Sequence, residues 1–64
     1  MSNLKLIRQS NNLSQTQLAE LSGVSVRMIQ SYEQGNKDIN KAQAITVYKL
    51  AEALKVSVED LIEK

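Results

Sequence analysis

Neither cysteine nor histidine occurs in the sequence, which removes a disulfide framework and a Cys/His zinc site as sources of stability. The same absence thins the supply of catalytic groups. No nucleophile–base spacing stands out among the remaining carboxylates, lysines, tyrosines and serines, so an enzyme is not expected and no cofactor or metal is implied. Proline is also missing, and no segment shows the apolar–polar alternation of a strand, which leaves helices as the periodic elements. No apolar run approaches the roughly 20 residues needed to cross a bilayer, and the opening MSNLKLIRQ has no signal-peptide apolar core. A cytoplasmic location without a membrane partner is the expectation. With 64 residues the chain permits one domain, spanning 1–64, in which only about 60% of the unfolded surface can be buried.

Charge is scarce in total and uneven in distribution. Eight basic against seven acidic residues give a net charge of +1, weak support for a polyanionic partner when taken as a sum. Before residue 42, Lys5, Arg8, Arg27, Lys37 and Lys41 outweigh Glu20, Glu33 and Asp38. After residue 50, Glu52, Glu59, Asp60 and Glu63 outweigh Lys55 and Lys64. The N-terminal portion is therefore the side suited to a nucleic acid, although ordinary solvated charge gives the same count.

What is present is a run of helix signals. Residues 14–35, SQTQLAELSGVSVRMIQSYEQG, describe two short helices joined by a tight turn. Ser14 and Gln17 have capping-box spacing; Leu18, Ala19 and Ser22 share one face. Gly23 falls where a left-handed residue stops a helix, and Val24 is free to plug the angle between the two. Ser25 caps the next helix, whose wheel puts Met28, Ile29 and Tyr32 on one side and Val26, Arg27, Gln30, Ser31 and Gln34 on the other. Outside this motif, a first helix runs from about Asn3 to Gln9 with Leu4, Ile7 and Asn11 inward and Arg8 at the edge. A fourth runs from Ala44 to Leu54 with Ala44, Val47, Leu50, Ala51 and Leu54 inward. Ser57 and Asp60 open a short fifth helix that turns Val58 and Leu61 to the core. Between Asn36 and Gln43, either the fourth helix starts a turn early from Asn40, or Asp38–Ala42 form a separate 3₁₀ turn that inserts Ile39; the second arrangement is expected.

From about Leu4 to Leu61 the chain resembles the phage-repressor, or Cro-type (XRE), helix-turn-helix family. The resemblance is carried by Leu4 with Arg8, LSQTQLAELSGVS, the closing Ile29, Glu33 and Gly35, and KLAEALKVSVEDLI. It implies an all-α, compact five-helix, lambda-repressor-like DNA-binding domain, with the helix-turn-helix formed by helices 2 and 3 at about 14–35. Two departures are visible. Asn12 stands where the family usually has glycine, and Asn is the next best residue for a left-handed position. The segment after Gly35 is longer than the common family turn and lacks its proline and serine cap.

The implied function is sequence-specific binding of double-stranded DNA by a bacterial or phage transcriptional regulator, a repressor, reading a major groove with the helix that starts at Ser25. Val26, Arg27, Gln30 and Ser31 are the candidate base readers: Gln suits adenine, Arg guanine, and Val a thymine methyl. Arg27 could instead hold a phosphate. Candidate phosphate contacts are Gln15 and Gln17 at the start of helix 2, Ser25, Tyr32, and the loop residues Asn36 and Lys37, whose backbone N–H groups and ammonium could grip an oxygen. Gln17 is the weaker of the pair because the capping box engages its carbonyl, and Tyr32 is first of all a core residue. Arg8 and Glu33 are implied to pair across the core, with Gly23, as structural support of the site. Leu6, Leu21 and Ile45 fit the wheels badly; together with Ile62 they would suggest a homodimer interface, and such domains commonly bind DNA as homodimers. Nothing forms an effector pocket, so no small-molecule ligand is expected. The alternative from another class is a protein-interaction or adaptor module on the same fold, with an antitoxin or controller component as a variant of either.

Overall fold

The computed structural model describes residues 3–62; Glu63 and Lys64, counted above in the acidic C-terminal stretch, lie outside them. Five α-helices follow one another: α1 (Asn3–Ser10), α2 (Gln15–Ser22), α3 (Val26–Gln34), α4 (Ala44–Leu54) and α5 (Val58–Leu61). A single 3₁₀ turn, Ile39–Lys41, interrupts the link from α3 to α4, as the isolated Ile39 predicts. Asp38 caps it by accepting from the Asn40 N–H, and Ile39 enters the core. No strand occurs among the described residues.

Each long helix ends on a left-handed residue, although the chain has only two glycines. Gly23 and Gly35 supply two of the stops; Asn12 (φ 58°) and Lys55 (φ 60°) supply the others. At three of them the chain doubles back in a Schellman motif, in which the N–H of the residue after the left-handed one reaches an upstream carbonyl. Leu13 donates to the Arg8 carbonyl at 3.2 Å, Asn36 to Ser31 at 2.9 Å and Val56 to Ala51 at 3.0 Å. Gly23 closes α2 more simply, through one bond to the Ala19 carbonyl at 2.9 Å. A Cβ added at Gly23 would meet nothing within 4 Å, so its φ of 75° selects glycine there rather than lack of space.

The short helices bury one stripe each against a shared centre. Leu4, Leu18, Ile29, Leu50, Leu54 and Leu61 are the largest fully buried side chains, joined by Val24, Tyr32, Ile39, Val47 and Ala51. Burying one such aliphatic side chain stabilises by about 1.5–3 kcal/mol relative to leaving it in water, which is what offsets the entropy of ordering so small a chain. α2 packs against both α3 and α4, while α1 reaches α3 and α5. The ends of the circuit are joined where the Asn3 side-chain amide donates to the Ile62 carbonyl at 3.2 Å.

Two members of the expected inner faces are not inside. Asn11 is exposed, its amide donating back to the Ile7 carbonyl at 2.9 Å, a local bond that holds the side chain at the helix end. Ala44 is also exposed: it is the first residue of α4, where the helix has not yet reached the core. The misfit apolar residues do stay in solvent, with Leu6 47%, Leu21 62% and Ile45 55% exposed, and Tyr48 joins them at 51%. Ile45 and Tyr48 are three apart on α4 and share a face. The Tyr48 hydroxyl is held above its ordinary pKa of 10.0 by hydrogen bonding to, and repulsion from, the Glu52 carboxylate one turn on. Among the described residues no helix is long and apolar enough to cross a membrane.

Candidate nucleic-acid interface

The helix-turn-helix is built by caps at both of its entrances. Ser14 Oγ accepts from the Gln17 N–H at 3.0 Å while Gln17 Oε1 accepts from the Ser14 N–H at 2.8 Å, so two otherwise orphaned donors are satisfied reciprocally. At the turn, the buried Ser22 hydroxyl accepts from the Val24 N–H at 3.1 Å, and Val24, in the turn between α2 and α3, is buried in the core. Ser25 then caps α3 by accepting from the Met28 N–H at 3.2 Å.

α3 divides as its wheel predicts. Ile29 and Tyr32 are buried and Met28 half-buried; Arg27, Gln30 and Gln34 are exposed, and Val26 and Ser31 are half-buried at the edges. The candidate base readers therefore lie together on the face turned away from the core. Gly35 ends the helix with φ 82°.

Behind that face runs a chain of polar contacts. Arg8 Nε donates to Glu33 Oε2 at 2.7 Å and its Nη2 to Glu33 Oε1 at 3.1 Å, a two-pronged ion pair with side chains 10% and 3% exposed. The remaining Arg8 terminal nitrogen, Nη1, donates to the Leu13 carbonyl at 2.7 Å. One guanidinium thus ties α1, the α1–α2 turn and the last turn of α3 together. Bidentate, charge-assisted bonds of this kind are among the stronger ones in proteins. Gln15 Nε2 also donates to Glu33 Oε1 at 3.0 Å, and Gln15 Oε1 accepts from Gln30 Nε2 at 3.2 Å. Sequence reasoning places Gln15 and Gln30 separately on the outer surface; the fold links them, and residues 15 apart on different helices carry no spacing signal that could reveal it.

The loop after α3 corrects one expectation. The backbone N–H groups of Asn36 and Lys37 turn back to the Ser31 carbonyl at 2.9 and 3.2 Å, closing the helix rather than facing outward, so only their exposed side chains remain available. The Asn36 amide itself donates to Gln34 Oε1 at 3.1 Å. Sequence reasoning also missed an open cleft of about 380 Å³ between α3 and the start of α4, lined by residues that include Met28, Tyr32, Lys37, Lys41 and Gln43. Tyr32 forms part of its wall while remaining 7% exposed.

Two caps, a glycine turn and a second helix whose polar face is held outward define the class of helix-turn-helix proteins. A helix-turn-helix family profile matches residues 4–61, and the chain belongs to the Cro-type (XRE) helix-turn-helix family. It is 41% identical over 61 residues to the HTH-type transcriptional repressor RghR of Bacillus subtilis (strain 168), covering 95% of this chain and 44% of that protein; the chain spans less than half the length of this relative. The restriction-modification controller protein C.AhdI from Aeromonas hydrophila has a similar solved structure, with a TM-score of 0.82 at 30% identity over 94% of this chain and 86% of that one.

Proposed function

We propose that this chain acts as one sequence-specific DNA-binding domain of a bacterial or phage transcriptional repressor, without enzymatic activity, working in the cytoplasm on double-stranded DNA. One observation carries the reading: the polar face of α3 is exposed while the ion pair behind it fixes the helix to α1. A reading helix must meet the groove at a set attitude, and a buried tie across the molecule provides that rigidity without occupying the readers. Membership of the family and similarity to a repressor and a controller protein support the same conclusion.

Val26, Arg27, Gln30 and Ser31 read base edges. The N-terminus of α2 meets phosphate through the backbone N–H groups of Gln15 and Thr16, with the free amide hydrogens of Gln17 beside them. Ser25 offers its hydroxyl, Asn36 and Lys37 their side chains, and Tyr32 its phenol edge. Arg8, Glu33 and Gly23 support rather than touch. Because one short helix reads few base pairs, two copies bind as a dimer on half-sites about one helical turn apart, and the exposed Leu6, Leu21, Ile45 and Tyr48 provide apolar surface for their association.

The test is selection of bound duplexes from a random pool at low and moderate salt. A two-fold-symmetric site should emerge, with the logarithm of the binding constant falling linearly in log salt at a slope of about −0.9 per neutralised phosphate. Arg27→Ala with Gln30→Ala should abolish the selection while leaving the helical fold intact by circular dichroism. Enrichment of no sequence at low salt would overturn the proposal.

A further inference from the structure

We propose that Gln15 is a positioning residue that fixes which way the Gln30 amide faces, and so commits Gln30 to adenine over guanine. This rests on the DNA-binding reading above and names the base that one of its readers selects.

Glu33 sets the polarity of both amides. An ion-paired carboxylate has acceptors and no donor, so the end of the Gln15 amide 3.0 Å from Glu33 Oε1 must be the NH₂ end. Gln15 therefore presents its oxygen to Gln30. That oxygen in turn requires a donor, and Gln30 answers with Nε2 at 3.2 Å. Reversing either amide would bring two lone-pair oxygens, or two NH₂ groups, into contact. The polarity is thus set inside the molecule, where Arg8 holds Glu33 with both carboxylate oxygens engaged, and is passed outward through two amides to the exposed face of α3.

What reaches the surface has a defined chemistry. With one N–H committed to Gln15, Gln30 keeps one N–H and its carbonyl oxygen; among the described residues it has no other side-chain bond. One donor beside one acceptor matches the major-groove edge of adenine, which offers N7 as acceptor and the N6 amino group as donor. Guanine offers N7 and O6, two acceptors, and would need both N–H groups of Gln30. An unrestrained glutamine can rotate to supply them. The restrained one cannot without giving up its bond to Gln15.

The experiment compares wild type, Gln15→Met and Gln15→Asn, the second being one methylene too short to span both contacts. Selected duplexes should show adenine over guanine about tenfold or more at one position of each half-site for wild type, and near parity there for both variants, with other positions unchanged. In the DNA-free protein, the side-chain amide NMR signals of Gln30 should move in both variants towards those of a solvated glutamine. A variant that binds every duplex equally more weakly but keeps its adenine preference would reduce Gln15 to a phosphate contact and overturn the proposal, as would Gln30 signals that do not respond. Failure of the wild type to enrich any site would sink the DNA-binding reading and the adenine assignment together, whereas the NMR comparison judges the relay by itself.

Discussion

Lys55 shows what one residue can hide. It terminates α4 at φ 60°, ψ 41°, a conformation that costs a side-chain-bearing residue about 1–2 kcal/mol. Lysine gives no warning of this, whereas Asn12 is legible because asparagine visits that region more readily. The stop at Lys55 is imposed by its neighbours, through the bonds of Lys55 and Val56 to the Glu52 and Ala51 carbonyls. Lys55→Gly should therefore stabilise, since the strain removed exceeds the roughly 0.4–1 kcal/mol of added unfolded-state entropy. A gain of about 0.5–1 kcal/mol, seen as a rise of several degrees in melting temperature, is expected; a lower melting temperature would show that the backbone at Lys55 is not strained. The exposure of Ala44 is the complementary lesson. A small apolar residue at a helix start satisfies the wheel, but the wheel does not say where the helix first meets the core.

At the scale of elements, caps decide much of what is legible. α2 and α3 each begin at a serine that accepts a bond from its own first turn, α5 begins at Ser57, whose N–H donates to Asp60 Oδ2 at 3.1 Å, and each start can be read from the sequence to within a residue. α4 has no such device: its N-cap is Gln43, with no side-chain capping bond. The family's serine cap is missing at this boundary, and the 3₁₀ turn at Ile39–Lys41 fills the extra length instead. Gln43→Ser should supply the missing acceptor. Capping side chains are typically worth about 1 kcal/mol, so thermal or urea unfolding should show a gain of that order, while Ser14→Ala should lose a similar amount. An unchanged midpoint for Gln43→Ser would mean that water already satisfies the first turn of α4.

Across the whole molecule, the decisive connection is the one that periodicity cannot express. The family resemblance implies the Arg8–Glu33 pair, but the onward contacts through Gln15 to Gln30 depend on how α1, α2 and α3 converge, a tertiary fact. Removing one charge strands the other in a site where Glu33 is 3% exposed. Glu33→Leu alone should therefore cost about 3–5 kcal/mol, and Arg8→Met with Glu33→Leu distinctly less than the sum of the two single changes. Urea unfolding of the four proteins measures this directly; strict additivity would mean that the pair contributes nothing as a pair. A quieter long-range contact, between the Asn3 amide and the Ile62 carbonyl, has a different consequence. It makes the path of the chain a nearly closed ring, with entry and exit at one point beside α1 and α5. The first turn of α1 and the exit from α5 therefore brace one another, so that loosening either one frees the other as well.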